Sequence, residues 1–95
     1  MKFLIVGLGN PGKEYLNTRH NIGFKALDFV STQTSAFFRS DRLGDIATYK
    51  FKGRTIFLLK PSTYMNLSGK AVSYWMKKEK IPIKNILIVT DDINL

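Results

Sequence analysis

The sequence contains no cysteine, which excludes disulfide-stabilised folds and metal sites that depend on thiolate ligands. This is compatible with the reducing cytoplasm, where we expect the protein to reside. Long hydrophobic runs are absent as well. No stretch approaches the roughly 18 apolar residues of a membrane-spanning helix, and the apolar run 3–6 is too short for the core of a signal peptide. We therefore expect a soluble protein that does not bind membranes.

Acidic residues are scarce: seven Asp and Glu stand against 15 Lys and Arg, which gives a net charge of +8. Such an excess favours a polyanionic partner, most commonly a nucleic acid, although a solvated basic surface explains the composition equally well. The cluster of Lys77, Lys78 and Lys80 does not separate these interpretations. Cations at the carboxyl end of a helix are favoured by the helix dipole whatever the function.

The chain is long and apolar enough for one folded domain, with 95 residues of which 44% are hydrophobic. Hydrophobic periodicity predicts the order strand, helix, hairpin, helix, strand. The predicted segments are 2–7, about 21–34, two strands within 45–60 that turn at Lys52-Gly53, a connection over 61–66, a helix with its apolar face at 71–76 that ends near 80, and 86–89. The apolar positions that indicate the first helix are Ile22, Ala26, Phe29 and Val30.

This order predicts an α/β fold: a single layered domain with a mixed, largely parallel sheet flanked by helices, in which the first and last strands are central. The last strand, 86–89, is apolar on both faces and needs cover on both sides. Two helices are too few for that. We therefore expect the chain to be a truncated part of a larger domain.

The stretch GLGNPGKEY, residues 7–15, partly matches two nucleotide-binding motifs. Its glycines fit G-x-G-x-x-G, but a dinucleotide fold also needs a helix that begins inside the motif, and the helical pattern begins only near residue 21. The segment 7–13 fits G-x-x-x-x-G-K, but Glu14 stands where a P-loop needs Ser or Thr. We interpret the glycines instead as a tight turn at the end of a central strand, which presents the amide of Asn10.

His20, the only histidine, lies just before the first helix and is a candidate general base, although a single histidine is more often structural. An unperturbed imidazole is mostly neutral at pH 7, as a base must be. Asp91 and Asp92 directly follow the last strand. If the first and last strands run parallel, either carboxylate can orient His20. A metal site or a solvated turn is the alternative for this acidic pair, and adjacent residues of a strand point to opposite sides.

The connection before the second helix contains Tyr64, Met65 and Asn66. Asn66 or Ser68 can simply cap that helix, or Asn66 can supply a second amide at the same edge of the sheet, with an aromatic wall beside it. Both interpretations remain open. No serine pairs convincingly with His20 as a nucleophile, so activated water and hydrolysis without a covalent intermediate are preferred.

Three blocks of sequence together resemble the bacterial peptidyl-tRNA hydrolase family, the single-domain α/β type. The blocks are GLGNPG at 7–12 with Tyr15 and TRHN at 18–21, KPSTYMNLSG at 60–69, and DDINL at 91–95. The resemblance implies hydrolysis of the ester that joins a peptide to the terminal ribose of tRNA. It implies no metal and no cofactor, and a protein that is a monomer at full length.

The resemblance also implies roles for individual residues. His20 activates water, and Asp91 keeps the imidazole of His20 oriented. Asn10 helps to distinguish a blocked peptide from a free aminoacyl group. Tyr15, Tyr64, Met65 and Asn66 contact the tRNA end or the peptide. The resemblance covers only the N-terminal part of the family's domain, so residues 1–95 alone are expected to have little activity. The rival hypotheses are an inactive RNA-binding homologue and a nucleotide-binding protein.

Overall fold

The computed structural model describes residues 1–8, 22–62 and 68–89. Within these ranges the order strand, helix, hairpin, helix, strand is confirmed, with one short strand and one 3₁₀ turn in addition. The elements are β1 (Lys2–Gly7), α1 (Ile22–Thr34), β2 (Arg39–Asp41), β3 (Gly44–Phe51), β4 (Arg54–Pro61), α2 (Ser68–Glu79), the 3₁₀ turn (Ile83–Asn85) and β5 (Ile86–Val89). The added strand β2 is three residues long and fully exposed, so it carries no hydrophobic pattern from which it could be predicted.

The five described strands form one mixed sheet in the order β2-β3-β4-β1-β5. β1 runs parallel to both β4 and β5, while β3 runs antiparallel to both β2 and β4. The predicted α/β class and the parallel pairing of the first and last strands are therefore confirmed. The expectation that both of these strands are central holds for β1 alone, because β5 lies at the edge of the described sheet.

The two helices cover opposite faces of the sheet, and the alternation of side chains along β4 separates two cores. Phe57 and Leu59 pack with Trp75 beneath α2. Ile56 and Leu58 pack with Leu27 beneath α1. Each face of β4 therefore anchors one helix.

The buried stripe of α1 differs from the one that the sequence indicated. Leu27 is buried and Val30 is half-buried, whereas Phe29 is 65% exposed. Helical geometry places Leu27 and Val30 on one side and turns Phe29 away from them. The helix was predicted correctly, and so was the partial burial of Val30, but Phe29 was wrongly assigned to the apolar face and Leu27 was missed.

Two local features fix the hairpin and α2. Lys52 and Gly53 both have positive φ, 50° and 80°, as a two-residue type I′ turn requires, so the predicted turn is confirmed. Trp75 is 1% exposed, and its indole N–H donates to the carbonyl of Arg42 at 2.9 Å. This bond fastens the middle of α2 to the turn between β2 and β3. Across the described ranges, neither helix is long and apolar enough to cross a membrane.

Candidate active site

Three parallel strands, β1, β4 and β5, end at the same edge of the sheet. We call this edge the upper rim, and it consists of Leu8, Ser62 and Val89 together with the first turns of α1 and α2. Because β1, β4 and β5 run in one direction, their carboxyl ends meet there. The amide of Leu8 donates to the carbonyl of Val89 at 2.9 Å, which closes the rim between β1 and β5. Open α/β sheets bind their ligands at this kind of edge.

Two glycines bring α1 into direct contact with the rim. A methyl group built on Gly23 would lie 2.4 Å from the carbonyl oxygen of Leu8 and 2.6 Å from that of Val89. One built on Gly7 would lie 2.4 Å from the carbonyl oxygen of Gly23. Neither position has room for a side chain, so Gly7 serves close packing of a helix on a strand. The start of α1 is thereby held against the ends of β1 and β5.

This contact gives a first prediction. Replacing Gly23 with alanine is expected to destabilise the complete protein by about 1–3 kcal/mol, the usual cost of overpacking, because the new methyl group would meet backbone atoms that cannot rotate away. Gly69 is the matched control, since it also lies in the first turn of a helix and a methyl group there would meet nothing within 4 Å.

Gly69→Ala should be neutral or stabilise the protein by up to about 1 kcal/mol, through higher helix propensity. Urea denaturation of the two variants measures the difference. Equal stability of the two variants would contradict the packing argument.

The residues predicted for the site lie outside the described residues. Asn10, Tyr15 and His20 belong to segment 9–21, Tyr64, Met65 and Asn66 to segment 63–67, and Asp91 to segment 90–95. What the structure brings together is the set of described residues that border these segments. Leu8, Gly23, Ser62, Ser68 and Val89 all belong to the upper rim.

An apolar groove of about 520 Å³ extends from the upper rim along α2. Leu8, Ser68 and Gly69 line its upper end, and Val72 and Met76 continue it along the helix. Ile83, Ile86 and Ile88 form its other wall. The groove lies beside α2, on the face of the sheet against which this helix packs, where α2 leaves β5 partly uncovered and Ile88 is 42% exposed.

One ion pair near the upper rim links two elements of the fold. The ammonium of Lys60, at the end of β4, forms an ion pair with Asp28 on α1 and lies 4.2 Å from the centre of the Phe38 ring. Lys60 is therefore a structural link between β4 and α1 rather than a free cation. No group of three or more potential metal-ligating side chains occurs within residues 1–8, 22–62 and 68–89.

A family model for peptidyl-tRNA hydrolase matches residues 4–95. The chain belongs to the peptidyl-tRNA hydrolase family. It is 60% identical over 95 residues to the peptidyl-tRNA hydrolase of Phocaeicola vulgatus and 58% identical over 95 residues to that of Cytophaga hutchinsonii. All of this chain is matched in both comparisons, together with 51% of the first relative and 50% of the second. The chain thus spans about half the length of these members of the family.

Solved structures of the family have the same fold. The crystal structure of the peptidyl-tRNA hydrolase from Acinetobacter baumannii is similar with a TM-score of 0.90 and 38% sequence identity. The match covers 98% of this chain and 48% of that one. The family suggested by the three sequence blocks is therefore confirmed.

The sequence did not reveal every residue that shapes the rim. Gly23 was missed. Glycine is an intrinsically poor helix former, so its presence in the first turn of a helix indicates that another part of the chain approaches the helix closely there. The bond between Trp75 and Arg42 was also missed, because it joins residues 33 positions apart. No local pattern reports such a contact.

Proposed function

We propose that the complete protein hydrolyses the ester bond between a peptide and the 3′-terminal ribose of tRNA, and so recycles tRNA from peptidyl-tRNA released during translation. The observation that carries the proposal is the family match over residues 4–95. The geometry supports it, because the segments that hold the three sequence blocks all border described residues of the upper rim. An edge at the carboxyl ends of parallel strands is a suitable place for such a site.

In the proposed reaction, the imidazole of His20 takes a proton from water while the water oxygen attacks the ester carbonyl. The bond between the carbonyl carbon and the ribose oxygen then breaks, and the proton passes from the imidazole to that oxygen. The products are a peptide with a free carboxyl group and tRNA with a free 3′-terminal hydroxyl. The carboxylate of Asp91 orients the imidazole and stabilises its protonated form.

Amide and aromatic side chains are proposed to select the substrate. Asn10 favours a blocked peptide over a free aminoacyl group, since its amide can both donate and accept hydrogen bonds. Asn66 supplies a second amide, and Tyr15, Tyr64 and Met65 contact the tRNA end or the peptide. No metal or cofactor takes part in this proposal. We further propose that the complete protein is a cytoplasmic monomer whose partner is peptidyl-tRNA.

The test compares two labelled substrates, an N-acetylated aminoacyl-tRNA and the same aminoacyl-tRNA with a free amino group. The complete protein is expected to release tRNA from the first much faster than from the second. Equal rates would contradict the role of Asn10. Binding of both substrates without hydrolysis would instead indicate the rival function, an RNA-binding homologue without catalytic activity.

Residues 1–95 alone are proposed to have little activity. On β5, Leu87 is 58% exposed on one face and Ile88 is 42% exposed on the other. Both faces of this strand therefore lack full cover among the described residues, and the strand borders segment 90–95, which holds Asp91. Full activity of a verified 95-residue polypeptide in the same assay would contradict this.

A further inference from the structure

The edge of the sheet opposite the candidate site carries a concentration of positive charge. We call it the lower rim: the turn of the β3–β4 hairpin, the start of β1 and the segment that follows α2. Three contacts of Lys2 link these parts: a strand pairing, an ion pair and a hydrogen bond. Lys2 lies opposite Thr55 in the β1–β4 register, its ammonium contacts Glu79 at 3.3 Å, and its carbonyl accepts a hydrogen bond from the side chain of Asn85 at 3.0 Å.

The cations of the lower rim are exposed and come from two separate parts of the chain. The hairpin supplies Lys50, Lys52 and Arg54, and the segment after α2 supplies Lys80 and Lys84. Among the described residues these five side chains form no ion pair, whereas Arg39, Lys60 and Lys2 each pair with an acid. The lower rim therefore presents cations that can bind an external anion.

Acidic residues in the described ranges are distributed in the opposite way. Asp45 lies opposite Lys60 in the β3–β4 register, Asp41 opposite Gly44, and Asp28 contacts Lys60, so all three lie toward the upper rim. Glu79 is the acid of the lower rim, and Lys2 neutralises it. The described part of the molecule is consequently polarised, and most of its exposed cations that have no acidic partner lie at or near the lower rim. A surface of this kind attracts phosphate groups.

An exposed aromatic ring lies among these cations. Phe51 is 53% exposed, and the ammonium of Lys52 lies 5.3 Å from the centre of its ring. An aromatic side chain that the core does not use, set between basic residues, is the combination with which proteins stack nucleotide bases and hold the adjoining phosphates. A membrane surface fits less well, since the tip of a tight turn offers one ring rather than the apolar face of an amphipathic helix.

We propose that the lower rim is an RNA-binding surface distinct from the candidate active site. The eight residues of β4 join the two rims, and at about 3.3 Å per residue they span roughly 25 Å. A double-stranded RNA stem of about nine base pairs has a similar length, because an A-form helix rises by roughly 2.8 Å per pair. An RNA stem whose end lies at the upper rim can therefore reach the lower one. The identification of this RNA as the tRNA of the substrate rests on the proposed function. The binding of RNA at the lower rim does not rest on it.

The experiment compares two variants of the complete protein that lose the same charge. Lys52→Gln with Arg54→Gln removes two cations of the lower rim, and Arg39→Gln with Arg42→Gln removes two exposed cations on and next to the edge strand β2, outside both rims. Affinity for an RNA stem-loop is measured by fluorescence anisotropy between about 50 and 200 mM salt. Thermal melts verify that both variants fold.

The lower-rim variant is expected to bind the stem-loop about tenfold more weakly at low salt. Its salt-dependence slope should fall by about 1.4 to 1.8, which corresponds to two lost phosphate contacts. The control should change affinity by less than about twofold. Phe51→Ala is expected to weaken binding of a single-stranded oligoribonucleotide by about fivefold or more, through loss of stacking.

Two results would overturn the proposal. Equal losses in the two double variants would show that net charge alone determines affinity. Unchanged RNA binding by the lower-rim variant would show that the lower rim does not bind RNA, and a loss of binding to vesicles that contain phosphatidylserine would then assign the surface to membranes. Failure of the proposed function is a separate outcome: a protein that hydrolyses no peptidyl-tRNA but shows the expected RNA-binding differences would still support the lower rim.

Discussion

Replacing His20 with alanine is expected to lower the rate of peptidyl-tRNA hydrolysis by the complete protein about 10² to 10⁴-fold, the range over which a general base contributes. The proposed chemistry has one base, and His20 is the only histidine of the chain. Without the imidazole, water must attack the ester with no positioned group to take its proton. The loss should appear in kcat, because the imidazole assists the transition state rather than binding of the substrate.

The measurement is release of labelled tRNA under single-turnover conditions, with the affinity for RNA determined in parallel. Asp91→Asn should give an intermediate loss, because the imidazole remains but is no longer oriented by a carboxylate. Arg39→Ala, on the exposed strand β2, is the control and should leave the rate unchanged. If His20→Ala hydrolyses peptidyl-tRNA as fast as the unchanged protein, the assignment of the base is wrong.

Replacing Trp75 with alanine is expected to destabilise the protein by about 3–5 kcal/mol. The side chain is 1% exposed and packs in the core beneath α2. Its removal would leave a cavity there, and the carbonyl of Arg42 would lose the indole donor that now lies 2.9 Å away. Both effects act on the helix whose first turn borders the upper rim.

Two further variants divide this effect into its parts. Trp75→Phe keeps most of the apolar burial but removes the hydrogen bond to Arg42, and it should cost about 1–3 kcal/mol. Phe37→Ala removes an aromatic side chain that is 84% exposed, and it should change the free energy of unfolding by no more than about 0.5 kcal/mol. Urea denaturation measures all three variants. If Trp75→Ala lowered the free energy of unfolding by less than Phe37→Ala does, the result would be incompatible with the described packing.

The parts of the fold that could be predicted from the sequence are those determined by neighbouring residues. The turn at Lys52-Gly53 depends on two residues that adopt positive φ, and the apolar run of β1 ends at glycines. The edge position of β5 could not be predicted, because its apolar sequence is equally typical of a central strand. The burial of Leu27 in place of Phe29 could not be predicted either, since it depends on how α1 packs against the sheet, which it contacts closely at Gly23.

For the candidate site, the sequence allowed the motifs and their common edge to be predicted, but not the framework around them. The parallel pairing of β1 with β5 places the borders of segments 9–21 and 90–95 side by side, as the sequence-based hypothesis required. The groove beside α2 was not foreseen, because Met76 and Ile86 come together only when the helix packs on the sheet. The chemical roles of His20, Asp91 and the amides stay predictions.

The near-contact of Leu8 with Gly23 has a consequence for how this framework can vary. The residues that flank segment 9–21 are held together by the packing of two backbones, independently of what lies between them. Changes in the composition or length of segment 9–21 leave the distance between its flanking residues unaltered, and a longer closed loop costs little additional entropy. The sequence of segment 9–21 can therefore change while the packing of α1 against β1 and β5 stays the same.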